Sequence, residues 1–346
     1  MSDVMPRAFL NEIVANIDED TPRLVYADWL QEQGRDERAE FIRVQVERAR
    51  LPAWDVAQVR LAIREAQLLK RHGEEWLAEI PAPAGARWEG FRRGIVAEVS
   101  FATFETFRER AQQCRNVVPV EAVTVRWPRK REGTKAVPPI AELRELALTG
   151  RPADVNEIAW LADSPQLATL RALTARGLWL EGLQRLVASP HLGSLRSFRL
   201  PSNNLGNAGV VAITRAASVT GLEELTLTSQ AYERYGEDPT VQASGVQALV
   251  NWAGLANVRR LTMTGSNIGR EGLRTLVRAP AAAGLKELGL RSAGLDGQAL
   301  GELDSAVKGL QLEALDLGEN LLKDLGAEYV ALAGCLGSLQ ELRLDR

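Results

Sequence analysis

Two cysteines and two histidines are all that 346 residues provide for thiol or imidazole chemistry. Cys114 and Cys335 lie far apart and form no CxxC pair, so a disulfide framework and a zinc motif are both excluded; each is read as a small buried apolar side chain. His72 and His191 stand apart from any Ser, Cys or Asp pattern of a catalytic signature. Both are read as surface residues, His72 near a helix end before Gly73 and His191 in the turn after Ser189-Pro190. The sequence contains no P-loop, no dinucleotide fingerprint after a strand, no HExxH and no GxSxG, and its acidic residues show no spacing that singles out an acid/base pair. The expectation is a chain without enzymatic activity, cofactor or metal. No run approaches the ~18 apolar residues of a membrane span, and the opening MSDVMPRAFLNEIV carries acidic residues where a signal peptide has its apolar core. A cytoplasmic protein without a membrane partner is expected. A net charge of -3 provides no general attraction to nucleic acid or anionic lipid.

What the sequence has in abundance is periodicity. Segments of the form LxxLxL begin at Leu143, Leu170, Leu195, Leu222, Val258, Leu285, Leu312 and Leu339, at intervals of 27, 25, 27, 36, 27, 27 and 27 residues. Ten positions after the start of a block comes another apolar residue, as at Leu205, Ile268, Leu295 and Leu322, often near an asparagine such as Asn203, Asn267 or Asn320. A helical pattern follows, for instance at 209–213 and 272–277. Alternating leucines in a short strand point to one side, into a core shared with the helix and the neighbouring repeats, because no single repeat can bury that face alone. Parallel strands sit ~4.8 Å apart and helices ~10 Å apart, so stacking one of each per repeat curves the array, with strands on the concave side.

This pattern resembles the leucine-rich-repeat family, in particular its cytoplasmic ribonuclease-inhibitor-like class, over about two thirds of the chain. The resemblance implies an α/β solenoid with a parallel concave sheet and convex helices, and it is nearly silent about the ligand. Two degenerate blocks, 96–101 and 120–125, with a helix through Phe104, Phe107 and Ala111 between them, are read as an N-terminal cap.

Residues 3 to about 80 read as helices, with Pro6 and Pro22 in first turns, Asp20 or Thr21, Asp36 and Asp55 at helix starts, and Gly34 as a stop. The segment 19–30 (EDTPRLVYADWL) and the segment 38–45 (RAEFIRVQ) resemble the repeat-companion domain, a small bacterial domain that precedes leucine-rich repeats in the same chain. That resemblance supports the architecture and carries over no activity. Pro81-Ala82-Pro83-Ala84-Gly85 is read as a linker. The resulting organisation is a small all-α domain at 1–82, cap and degenerate repeats at 86–142, and leucine-rich repeats at 143–346. Asp28, Arg23, Glu40 and Arg43 beside Trp29 and Tyr26 admit a polar binding cluster, but helix packing and local ion pairs are the simpler reading.

The function expected is a protein-protein interaction scaffold. Positions two, four and six after each block start face away from the core, which places Arg199, Thr228, Arg260, Thr264 and Arg291 on the concave face. The 36-residue interval exceeds the usual 27 by nine residues, and the extra length lies within 229–239, just past a strand. This insertion is read as a rim loop, in which Tyr232 and Tyr235 bracket Arg234 as interface anchors; a tolerated surface insertion is the alternative. These eight residues form the candidate partner site. The second function class is nucleic-acid binding through the basic loop 126–135, in which an exposed Trp127 would stack a base beside Arg126, Arg129, Lys130, Arg131 and Lys135. A solvated loop accounts for the same residues. A third class, regulation of a partner enzyme such as a GTPase, comes by analogy with other leucine-rich-repeat proteins.

Overall fold

The computed structural model describes residues 5–51, 55–127, 143–151, 155–229 and 240–345, without the side chains of 155–157. They fall into two compact units, one holding the described residues up to Arg126 with 143–146, the other Trp127 and those from Ala147 onward.

The first unit opens with four helices, α1 (Arg7–Ala15), α2 (Thr21–Glu32), α3 (Asp36–Arg50) and α4 (Val56–Ala78). Their ends follow local chemistry. Pro22 sits in the first turn of α2, and Gly34 at φ 77° ends the turn after it, a conformation that glycine adopts without a Cβ penalty. Asp36 and Glu37 open α3 and Arg48 and Arg50 close it, matching the helix dipole, while the Asp55 carboxylate accepts the Ala57 N–H at 2.8 Å to start α4. The strand pair β1 (Ala86–Arg92) and β2 (Ile95–Phe101) follows as an antiparallel hairpin. Its two-residue turn, Arg93-Gly94, has positive φ at both positions (46° and 81°), the geometry that matches strand twist. A Cβ on Gly94 would overlap the Ile42 backbone of α3, so the turn packs directly on that helix. After α5 (Phe104–Arg115), β3 (Ala122–Arg126) pairs in parallel with β2, Val99 opposite Val123 and Phe101 opposite Val125. That is the register expected from the two degenerate blocks.

Two features differ from the sequence reading. Segment 81–85 connects α4 to β1 inside the first unit, because Ile95 shares a core with Leu10, Ile13, Tyr26, Leu30 and Ile42, and Phe91 packs with Phe41, Leu68 and Trp76. The helix expected to end near Gly73 continues to Ala78. Gly73 is buried within α4, and His72 lies in mid-helix, stacked on Trp76 at 5.2 Å with Nε2 2.7 Å from Glu37 Oε2. The ~1 kcal/mol that glycine costs a helix is small against the burial of Leu68 and Trp76 on the same helix.

The charges that admitted a polar cluster form separate local pairs, in line with the simpler reading: Arg43 with Asp28 at 2.7 Å, and Arg64 with Glu40 at 2.6 Å. Tyr26 and Trp29 stack on each other, and both meet the Phe9 ring at a tilt. Arg23 is fully buried, donating to Glu121 Oε1 at 3.2 Å and to the Glu19 carbonyl at 2.7 Å. Burial pushes the Arg23 pKa down and the Glu121 pKa up, each toward its neutral form, and their mutual attraction opposes both shifts.

The second unit is built on the 27-residue repeat. β4 (Glu145–Thr149) straddles the boundary between units, and then come α6 (Val155–Ala162), β5 (Ala172–Ala175), α7 (Leu180–Val187), β6 (Ser197–Leu200), α8 (Gly206–Arg215) and β7 (Glu224–Thr228). The chain continues through α9 (Ala243–Val250), β8 (Arg260–Thr264), α10 (Gly269–Arg278), β9 (Glu287–Gly289), β10 (Ala314–Asp316), α11 (Lys323–Leu332) and β11 (Glu341–Arg343). Between β9 and β10 a 3-10 helix, Ala299–Ser305, replaces the α-helix. From β5 to β11 the strands pair in parallel and in sequence order, and the fourth residue of each LxxLxL block from Leu170 onward falls in one register: Leu173, Phe198, Leu225, Leu261, Leu288, Leu315 and Leu342. All but Leu342 are at most 2% exposed. The asparagines close turns, as where Asn203 accepts Leu178 N–H and donates to the Ala175 carbonyl, and where Asn320 accepts from Ala293 and Leu295.

Leu288→Ala should therefore cost about 2 to 5 kcal/mol in denaturant melts, as the loss of a buried leucine without full collapse of the cavity; a change below ~0.5 kcal/mol would contradict this register. Arg23→Met should cost about 3 kcal/mol or more by removing the nearest cation from the buried Glu121, which then keeps Arg93 at 3.9 Å, and adding Glu121→Leu should recover most of the loss. An equally destabilised double variant would show that the pair itself carries the stability.

Candidate functional site

The exposed face of the second unit's sheet is built from the outward positions of each strand. Along β7 the residues alternate, Leu225 and Leu227 inward and Glu224, Thr226 and Thr228 outward; β8 repeats this with Leu261 and Met263 inward and Arg260, Thr262 and Thr264 outward. Three of the expected site residues meet here. Thr228 lies directly opposite Thr264, and Arg260 directly opposite Glu224. Thr228 Oγ1 also accepts the Ser202 N–H at 3.2 Å, which fixes the hydroxyl at the strand end.

The arginines expected to reach for a partner are held by the protein's own carboxylates. Arg199 on β6 grips Glu224 with two parallel bonds, Nε to Oε1 and Nη2 to Oε2, both 2.7 Å, and Ser197 Oγ donates to the same carboxylate at 2.8 Å. Arg260 approaches Glu224 from the other side at 3.5 Å and reaches Glu287 on β9 at 3.9 Å. Arg291, just past β9, donates to Glu319 at 2.9 Å and to Asp345 at 2.7 Å. The result is a ladder of charges across neighbouring strands. Such pairs fix the direction of long side chains, so the face presents an ordered pattern, not a cloud of mobile charge. Burial alone would raise the pKa of Glu224, whose side chain is 12% exposed, but the bonds from Arg199 and Ser197 outweigh it and bring the pKa below the usual carboxylate value.

Tyr232, Arg234 and Tyr235 lie outside the described residues. Their flanks are described: Ser229 follows β7 and donates its N–H to the Thr264 carbonyl at 3.0 Å, and Thr240 comes shortly before α9. In the chain the insertion thus comes between β7 and α9, and its first flank is bonded to Thr264 at the end of β8. Arg199, on β6, and Arg291, just past β9, lie to either side of Thr228 and Thr264.

Of the basic loop 126–135, Arg126 and Trp127 are described. Trp127 is not the exposed platform that base stacking needs. It is 4% exposed, its Nε1–H donates to the Arg176 carbonyl at 2.9 Å and its backbone N–H to Thr149 at 3.0 Å, so the ring is core of the second unit. The apolar body and single donor of tryptophan make such a buried, bonded place favourable. Cys114 and Cys335 are both buried thiols, as expected, and burial pushes the Cys114 pKa up to about 11. His191 sits in its turn, its N–H donated to Ser189 Oγ at 3.2 Å. Among the described residues, no group of three or more His, Cys, Asp or Glu is placed to hold a metal, and no helix is long and apolar enough to cross a membrane.

No protein-family model matches this sequence, and no curated protein does. Among solved structures, the chain is similar to a protein from Bacteroides fragilis at 13% identity, over 84% of this chain and 85% of that one, with a TM-score of 0.47. It is also similar to the yeast Rad7 and Elc1 complex at 12% identity (96% and 91% covered, TM-score 0.43) and to an internalin from Listeria monocytogenes at 13% (67% and 76%, TM-score 0.26).

A carboxylate with a depressed folded-state pKa stabilises the fold above its unfolded pKa, and that stability is lost as pH falls through the folded value. Glu224→Gln should therefore lower stability at neutral pH and flatten its decline below the ordinary carboxylate range, read from urea melts at a series of pH values. An unchanged pH profile would mean that the Arg199–Glu224 bonds contribute nothing.

Proposed function

We propose that this chain is a non-enzymatic scaffold that binds a partner protein on the exposed sheet face of its repeats, with the 229–239 insertion at the rim of the site. The observation that carries this reading is the ordered face itself: threonines in the middle positions of β7 and β8, flanked by arginines whose directions are fixed by Glu224, at the place where the insertion begins. A polar surface whose side chains are already fixed loses less entropy on association than a mobile one. The centre of the site in this reading comprises Thr228, Arg260 and Thr264, with Thr226 next to them on β7, Arg199 and Arg291 at its sides and Tyr232, Arg234 and Tyr235 as anchors. The helices of the first unit serve as a repeat-companion domain that shares its core with the hairpin after them, and the setting is the cytoplasm. Whether the partner is itself an enzyme, such as a GTPase, changes the consequence of binding and not the surface. Nucleic-acid binding through the basic loop is the weaker reading, since Trp127 is spent on the core.

The test is affinity capture from the native cytoplasm with the intact chain, with Thr226→Lys/Thr264→Lys, and with Tyr232, Arg234 and Tyr235 all changed to Ala. Both sets leave the leucine core untouched. A protein partner should be retained at high salt, and its affinity should fall by about 2 kcal/mol or more in each variant while the melting midpoint stays nearly constant. Recovery of nucleic acid that salt releases, or a partner indifferent to the threonine pair, would overturn the proposal.

A further inference from the structure

The charge ladder breaks its own rule at β10. In the first outward row, register neighbours run Glu224 on β7, Arg260 on β8, Glu287 on β9, Ala314 on β10 and Glu341 on β11. Arg260 stands between two glutamates and approaches both. The corresponding place between Glu287 and Glu341 is occupied by an alanine. In the next row Gly289 stands between Thr262 and Asp316, and it too contributes no side chain. These two small residues open a depression of about 240 Å³ on the sheet face, walled by Glu287, Asp316, Glu341 and Arg343.

The charges around it do not balance. Arg343 turns to Glu341, with Nε 2.7 Å from Oε1, and so offsets part of the charge of that carboxylate. Asp316 Oδ1 accepts the Gly318 N–H at 2.9 Å. Glu287 is left with the 3.9 Å approach of Arg260, which it shares with Glu224. Burial raises the Glu287 pKa and Arg260 lowers it, while Glu224, Glu341 and Glu313 raise it further, so the group ends above the usual carboxylate value. A cation over Ala314 would relieve that repulsion. Glu287 and Glu341 lie two parallel strands apart, roughly 10 Å, a span that a planar guanidinium bridges by donating from both of its edges. An ammonium, a compact point charge, does not donate along two edges in this way.

We propose that this depression receives one arginine side chain of a partner protein, seated over Ala314 and Gly289 between Glu287 and Glu341, with Asp316 at its inner end. The assignment rests on the sheet-face reading above and names what that face selects for at its β9 to β11 end.

The probe is the capped tripeptide acetyl-Gly-Arg-Gly-amide, titrated into the full chain and followed by the amide NMR signals of Gly289 and Ala314, with the citrulline tripeptide as a neutral isostere. The arginine peptide should shift both signals saturably and the citrulline peptide should not. Glu287→Gln should weaken binding about tenfold or more, as expected for a lost charge-assisted bond. Ala314→Arg, which supplies the missing cation from within, should abolish binding and lower the Glu287 pKa. Equal binding of the citrulline peptide, binding that survives Ala314→Arg, or no saturable shift at tens of millimolar would overturn the proposal. Failure of the tripeptide while Thr226→Lys/Thr264→Lys still releases the partner removes the arginine site and leaves the scaffold reading intact. Tripeptide binding as expected, with a partner indifferent to those two lysines, supports the arginine site and overturns the wider sheet-face reading.

Discussion

Everything in the second unit depends on one condition: a three- to five-residue strand can bury its leucines only in a core that the helices share with the strand before it and the strand after it. The column from Leu173 to Leu342 is that condition made regular. A slip of one residue at any strand would turn its apolar set outward and its polar set into the core. The same register therefore fixes the other face. Once Leu225, Leu261 and Leu288 are aligned, Glu224, Arg260 and Glu287 are aligned too, and the ion pairs across the sheet follow from the packing beneath it.

In the first unit the corresponding role falls to a turn and a buried ion pair. Arg93-Gly94 lets the hairpin close tightly against Ile42, and Arg23 ties α2 to Glu121 just before β3. Arg38 adds a third device. Its guanidinium lies 5.0 to 5.4 Å from the rings of Phe41, Trp76 and Phe91, and burial lowers its pKa to about 10. A cation enclosed by aromatic faces can remain buried because the ring quadrupoles replace part of its hydration.

The repeat was legible because its signal is periodic and carries its own check: each leucine position predicted the register of the next. The strands expected at 96–101 and 120–125 were legible for the same reason. β1 was not, since ARWEGFR pairs antiparallel through a bulge near Gly90 and belongs to no repeat; its one local signal was the Arg-Gly turn. The continuation of α4 past Gly73 was hidden because local propensity argued for a stop and tertiary burial overrode it. On the sheet face the sequence identified which residues point outward but not what they do there. Arg199, Arg260 and Arg291 looked available, and their occupation by Glu224, Glu287, Glu319 and Asp345 becomes visible only when the outward columns are compared strand by strand. Trp127 was misjudged for a related reason: a basic neighbourhood says nothing about whether one aromatic ring has found a carbonyl.

The insertion after β7 shows what this architecture permits. Between Leu222 and Val258 the chain takes nine residues more than its usual course, yet β7 and β8 pair residue for residue over their whole length. Contacts that extend only to the next repeat do not transmit a change in path length, so a loop can grow in one repeat without altering the geometry of its neighbours. Recognition and folding are thereby encoded in separate letters of the same repeat. The inward letters are held to leucine by every layer they touch, while the outward letters and the rim are free to diverge toward a new partner at little cost to the fold.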